Sequence, residues 1–401
     1  MTTDSDKILI DRARHNYMNV YTLQNVVLDR GEGVYLYGTD GKKYLDCAAG
    51  IAVLALGHGH RVFKHAVQTQ MDKLAMCTGS FVTSEKVAVS DFLTQSAHMD
   101  RAFLCNSGAE AVEGALKTAR LWAHHEKGAQ CKEFITFKNA FHGRTYGAVS
   151  VTEKARTYPE FGPYIPGVHF AEYNNLDSVR PLLSDNVCAI IVETIQGEGG
   201  VLPGTPDFIV GLRQICDEHN ICLIVDEIQT GIGRTGKMFC HQNYGIKPDI
   251  MTLAKGMGGG FPVGAFLAME KFGKYIKPGT HGTTYGGNPL ACAVTLAVSS
   301  EVAKPEFLAQ VKETGACFMD GLKKLKSDTN SIEDIRGKGL MIGVDTVYDI
   351  KKLLPALLDT GLIATQAGDR SLRLTPPLIF TPDHVNEALD KIGHVIRKGD
   401  L

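Results

Sequence analysis

Lys255 stands where an apolar run meets glycines, in DIMTLAKGMGGGFPVGA, residues 249–265. A second apolar run ends in a carboxylate pair, ICLIVDEIQTG, residues 221–231. A lysine at one strand end and an aspartate at a neighbouring strand end suit one chemistry well. The amine forms a Schiff base with pyridoxal phosphate, and Asp226 keeps the pyridine nitrogen protonated. Taken alone, Lys255 reads as an ordinary surface lysine. Glycines 256, 258, 259 and 260 change that, because they leave room for a bulky planar ligand and permit unusual backbone angles. Desolvation beside other cations would also lower the lysine pKa, as this chemistry requires.

A phosphate needs oriented backbone donors. The run RAFLC, residues 101–105, leads into NSGAEA, where Ser107 followed by Glu110 forms a capping-box pattern. Gly108 and Ala109 are small, so an anion can approach the positive end of the following helix. An ordinary capped helix start has the same pattern. A carboxylate substrate needs arginines, and Arg144 in FHGRTYG and Arg373 in SLRLTPP are candidates for a bidentate clamp. A solvated surface arginine is the plain alternative for each.

Two other motifs point elsewhere. An apolar strand ending in Asp-Glu resembles a Walker B element, and GIGRTGK, residues 231–237, nearly fits P-loop spacing. Met238 stands where the magnesium-binding Ser or Thr belongs, and the two elements come in the wrong order. His58 and His60 form HGH without nearby acidic or cysteine partners, which argues against a metal. GMGGGFPVG matches no dinucleotide fingerprint.

These residues need a scaffold. The chain has 401 residues, of which 44% are hydrophobic and 21% charged, so two domains or one large domain with a companion are expected. A formal net charge of -2 gives no electrostatic reason to expect nucleic acid or an anionic membrane, and points to a small-molecule partner. Ten cysteines are scattered singly with no CxxC pair, which reads as reduced, buried thiols in a cytoplasmic protein. The N-terminal residues lack a secretory pattern, and no apolar run approaches the roughly 20 residues that span a bilayer.

Strands are expected at 101–105, 133–137, 187–193, 221–227, 249–254 and 263–269. Amphipathic helices are expected at 110–125, with Val112, Leu116 and Ala119 inward, and at 206–219, with Ile209, Leu212 and Cys216 inward. Strands separated by helices imply an α/β fold with a mostly parallel sheet, whose ligands bind beyond the carboxyl ends of the strands. From Pro289 a long helical stretch is expected. It is followed by strands near 339–345, 361–366 and 371–376 and by a final helix capped by Thr381, in a smaller α/β domain.

The segments YLDCAAGIAVLALGHGH, CNSGAEAVEGALKTAR, NAFHGRTYGAVS, ETIQGEGG, IVDEIQTGIGRTG, TLAKGMGGGFPVGA, THGTTYGGNPLACAV, RGKGLMIGVD and LRLTPPL jointly resemble the class III (subgroup II) pyridoxal-phosphate aminotransferases of fold type I. Among these, the acetylornithine branch is the most similar. The resemblance implies a large domain over residues 61–290 and a small one over 291–401, with residues 1–60 contributing to the small domain. It implies that Lys255 carries the cofactor and shuttles a proton, that Asp226 pairs with the ring nitrogen and that Gln229 reaches the ring hydroxyl. Ser107, Gly108 and Ala109 would bind the phosphate, and Phe141 would stack on the ring. Thr284 would reach the phosphate of a neighbouring subunit, with Thr283 near the substrate, so a homodimer is the minimum active unit.

Arg144 would hold the donor carboxylate and Arg373 the α-carboxylate of glutamate or 2-oxoglutarate. Glu198 would cover Arg373 whenever an ω-amino donor is bound. The implied reaction is ping-pong transamination of N-acetylornithine with 2-oxoglutarate, in arginine biosynthesis. Succinylornithine, N-succinyl-diaminopimelate, ornithine and 4-aminobutyrate are the alternative donors. Leu54, Arg61, Thr194 and the stretch 76–86 depart from the family's usual residues, and that stretch bears on acyl preference. A nucleotide hydrolase and a cofactor-free binding relative are the readings from other classes.

Overall fold

The computed structural model describes residues 4–154 and 158–398. The first three residues of the expected N-terminal segment and the last three of the C-terminal domain therefore lie outside the described residues. The core is a seven-stranded sheet: β1 (Arg101–Cys105), β2 (Glu133–Phe137), β3 (Val168–Ala171), β4 (Val187–Glu193), β5 (Cys222–Asp226), β6 (Ile250–Leu253) and β7 (Gly264–Ala268). Their spatial order is β1-β7-β6-β5-β4-β2-β3. Only β7 runs antiparallel to its neighbours. All six expected strands form. The chain adds β3, whose four residues VHFA are mostly half-buried and too short to stand out as a pattern.

Helix α1 (Gly108–Lys127) follows β1 directly. Ser107 caps it, its hydroxyl accepting from the Glu110 amide at 3.2 Å. The Glu110 carboxylate reaches back one residue further than a standard capping box, to the Asn106 amide. Val112, Leu116 and Ala119 are buried as the 3.6-residue spacing requires, and Trp122 extends the same face. Helix α2 (Pro206–Glu218) buries Ile209, Leu212 and Cys216 on the other side of the sheet, with Thr205 as its cap.

The long helix expected from Pro289 is two helices, α3 (Pro289–Val302) and α4 (Pro305–Thr329). Pro305 lacks an amide donor and starts a new helix, so the chain turns at Ala303–Lys304. Beyond it lies a second sheet of β8 (Ile332–Lys338), β9 (Met341–Thr346), β10 (Thr365–Ala367) and β11 (Ser371–Leu374), in the order β8-β9-β11-β10. The N-terminal strand Lys43–Asp46 pairs in parallel with Leu362–Ile363, which ties the two ends of the chain together. The final helix, α5 (Pro382–Lys398), buries Val385, Ile392 and Ile396, while Leu389 stays partly exposed.

Eight of the ten cysteines are buried, but Cys77 is half-buried and Cys317 exposed, so the expectation of uniformly buried thiols fails at those two. His60 caps the helix Arg61–Lys73, and His58 pairs with Asp46 at 2.8 Å, which gives the HGH motif structural employment. GIGRTGK likewise serves the fold. Arg234 is fully buried and donates to the carbonyls of Leu340 and Pro376, pinning the loop after β5 to the C-terminal region. Burial lowers its pKa to about 9. Removing this guanidinium leaves two buried carbonyls without donors, at about 1–3 kcal/mol each. Arg234→Met is therefore expected to lower the melting temperature by several degrees, measured by differential scanning calorimetry. An unchanged melting temperature would show that Arg234 is not a staple.

Candidate active site

Parallel register places three side chains in a row at the carboxyl edge of the sheet: Asp226 is opposite Glu193 of β4 on one side and Thr252 of β6 on the other. Asp226 is 4% exposed. Its Oδ1 accepts from the Ile228 amide at 3.0 Å and from the Thr252 hydroxyl at 3.1 Å. Its Oδ2 lies 2.7 Å from Nδ1 of His142. Burial works against a charged His142, but the hydrogen bond and charge of Asp226 outweigh it and raise the imidazole pKa. His142 Nδ1–H then donates to Asp226, and Nε2 is buried without a partner among the described residues.

Glu193 is the second buried acid. It accepts from the amides of Phe141 at 3.0 Å and Gly197 at 3.2 Å. Burial pushes its pKa up to about 7, against the pull of His142. Sequence reasoning missed both residues. Glu193 carried the signal that exposed Asp226, an acid ending an apolar strand. His142 carried none, because its partner is 84 residues away.

Lys255 lies two residues beyond β6 and has φ +45°, a left-handed conformation that non-glycine residues rarely adopt. Burial lowers its pKa to about 8, with Arg373 acting in the same direction and the Glu198 charge opposing. Gly259 and Gly260 do take positive φ. Gly258 is glycine for another reason: a Cβ there would meet the Phe261 carbonyl at 2.1 Å.

A cavity of about 430 Å³ joins these groups. Ser107, Gly108, Ala109, Phe141, Arg144, Asp226, Gln229 and Lys255 all line it, together with His142, Glu193 and Ile228. Arg144 is exposed, with its guanidinium 5.3 Å from the Phe141 ring centroid. Glu198 and Arg373 stand behind Gln229. Arg373 is 2% exposed and donates Nη1 to Glu198 and to the Gln229 carbonyl oxygen, and Nε to Thr365 at 3.0 Å. Burial opposes ionisation of Glu198, yet the charge and hydrogen bond of Arg373 hold its carboxyl below the usual range. Thr283 and Thr284 do not line the cavity. Thr283 accepts from Asn106 Nδ2 at 2.9 Å, and Thr284 is exposed.

The description Aminotransferase class-III fits residues 17–396. The chain belongs to the class-III aminotransferases. An acetylornithine aminotransferase of Caldanaerobacter subterraneus subsp. tengcongensis is 41% identical over 380 residues, covering 94% of this chain and 96% of the relative. A succinylornithine transaminase of Yersinia pseudotuberculosis is 42% identical over 383 residues, covering 93% and 92%. The ornithine aminotransferase of Toxoplasma gondii superposes with a TM-score of 0.95 at 31% identity, covering 99% and 96%. The fold is that of the pyridoxal-phosphate-dependent aminotransferases, and pyridoxal 5'-phosphate is the cofactor.

The residues of this chain fit that group. Ser107 uses its hydroxyl on Glu110, and among the described residues no acceptor takes the amides of Gly108 and Ala109. Two free donors at the positive end of a 20-residue helix suit a phosphate. The cavity also presents an amine, a buried carboxylate and the Phe141 ring, which match the aldehyde, the ring nitrogen and the ring face.

The lowered Lys255 pKa sets the expected pH dependence of cofactor uptake. The neutral amine is the nucleophile, and its fraction grows as pH rises through about 8 and then levels off. The rate of pyridoxal phosphate uptake by cofactor-free protein, followed by near-visible absorption, is expected to plateau above about pH 9. A rate that still climbed tenfold per unit there would mark an ordinary lysine, whose pKa is about 10.4.

Proposed function

We propose that this aminotransferase exchanges the terminal amine of an N-acylated ornithine, N-acetylornithine first, with 2-oxoglutarate, in arginine biosynthesis. One observation carries the reading: a buried arginine, Arg373, is paired with a partly exposed carboxylate, Glu198, whose charge also acts on Lys255. Glutamate reacts at the carbon bearing its carboxylate and needs a cation there. An ω-amine reacts far from its carboxylate and has no use for that cation. A site serving both must uncover and cover one arginine, and Glu198, with its side chain 31% exposed, is partly solvated and able to move. The names of the relatives support the acylated donors.

Bound pyridoxal phosphate supplies the electron sink for the charge left on the substrate carbon. The protein does the rest. The Asp226 carboxylate holds a proton on the ring nitrogen, and His142 holds Asp226 in place. As a neutral amine, Lys255 Nζ would take the proton from the substrate carbon and deliver it two atoms along, a 1,3 transfer. Gln229 would reach the ring hydroxyl, Gly108 and Ala109 would hold the phosphate and Phe141 would cover the ring. Arg144 sits at the exposed mouth and takes the donor carboxylate. In a homodimer the exposed Thr284 would reach the partner's phosphate, with Thr283 beside it. A cytoplasmic location accords with ten unpaired cysteines. Among the described residues no helix is long and apolar enough to cross a membrane.

Adding N-acetylornithine without a keto acid is expected to bleach the near-visible band of the holoenzyme. If only succinylornithine or free ornithine bleaches it, the donor assignment is wrong. Failure of any such band to form with added cofactor would remove the enzymatic reading. Arg373→Ala is expected to reduce kcat/KM for glutamate by at least about a hundredfold, the loss of a buried bidentate carboxylate contact, and for N-acetylornithine by far less. Equal losses would reject the cover.

A further inference from the structure

The loop bearing Glu198 is gripped from behind by the C-terminal sheet. Arg336 of β8 donates Nε and Nη2 to the carbonyl of Gly200, at 2.9 and 2.7 Å. The Gly368 amide donates to the carbonyl of Glu198 itself at 2.6 Å. Arg336 is in turn held by Asp345 at 2.9 Å, Ser371 at 2.6 Å and Asp334 at 2.8 Å. Gly200 has φ +116°, and a Cβ there would lie 3.3 Å from both Arg336 Nη2 and Ser371 Oγ, so the grip needs glycine.

Two features give the grip a purpose. The loop 197–200 reads Gly-Glu-Gly-Gly, a stretch with little conformational preference of its own. An untethered chain of this kind would place Glu198 in many positions. Ser371 and Arg373, two residues apart on β11, face the same side of the strand. One strand therefore carries both the arginine to be covered and an anchor of the residue that holds the cover. Arg336 does not line the cavity and meets Glu198 only through the loop backbone.

We propose that Arg336 is a positioning residue for specificity. By fixing the Gly200 carbonyl it keeps Glu198 seated on Arg373, and so sets how the enzyme divides its efficiency between glutamate and an ω-amino donor. This rests on the reading of Glu198 as the cover of Arg373.

The test measures the two half-reactions of the holoenzyme separately and takes the ratio of kcat/KM for glutamate to kcat/KM for N-acetylornithine. Arg336→Lys keeps the charge near Asp334 and Asp345 but loses the two-pronged hold on Gly200. It is expected to raise the ratio about tenfold, the effect of one charge-assisted hydrogen bond. Glutarate, an unreactive dicarboxylate, should bind more tightly to this variant. Ser371→Ala, a milder change, should move the ratio the same way by a smaller factor. In a Glu198→Gln background Arg336→Lys should change nothing further, because the cover is already gone. An unchanged ratio in both Arg336→Lys and Ser371→Ala, while Glu198→Gln alone moves it, would overturn the proposal. So would an Arg336→Lys effect that persists without Glu198. If Glu198→Gln leaves the ratio unmoved, the cover itself is wrong and the proposal falls with it.

Discussion

A carboxylate buried at the end of a strand costs several kcal/mol unless it finds donors, and Asp226 has three. The Ile228 amide, the Thr252 hydroxyl and the His142 imidazole between them satisfy both oxygens. Each comes from a different part of the chain: the loop after β5, the neighbouring strand β6 and the segment after β2. A single charge thus fixes the register of β5 against β6 and the path of the chain that carries Phe141. The cavity forms where those constraints meet.

The charges around it are graded. Lys255 is pushed toward neutrality by burial and by Arg373, while Glu193 is pushed toward protonation by burial. Glu198 is drawn toward ionisation by the charge and hydrogen bond of Arg373, and His142 likewise by those of Asp226. A buried ion pair contributes little net stability, since desolvation consumes most of the attraction. Withdrawing one partner alone would leave an uncompensated buried charge at about 3–5 kcal/mol, so Glu198 could leave Arg373 only as another carboxylate took its place. The same pair would be a poor choice for holding a fold together.

Much of this was legible in the residues. Asp226 and Lys255 stood out because charge at the end of an apolar strand is rare and needs a reason. Ser107 to Ala109 stood out because a cap, a glycine and a helical period came together. The hidden parts were hidden for physical reasons. His142 is neutral in any local pattern until Asp226 is brought to it. Arg336 grips Gly200 across 136 residues, a closeness that local pattern does not record. The break at Pro305 is written in the residues as a proline without an amide donor, which starts a new helix. Thr284 faces solvent and does not line the cavity.

The antiparallel strand β7 lies between β1, which feeds the helix whose amides are free, and β6, which leads to the lysine. Counting across the sheet, β1 to β5 is three strand spacings of about 4.8 Å, or roughly 14 Å. The loop after β5 closes that gap: a Cβ on Gly108 would lie 2.9 Å from Ile228 Cδ1, so the helix start and the loop beyond the buried acid meet over the strands between them. The strand order decides which loops can meet there, and the side chains set the span left for a ligand.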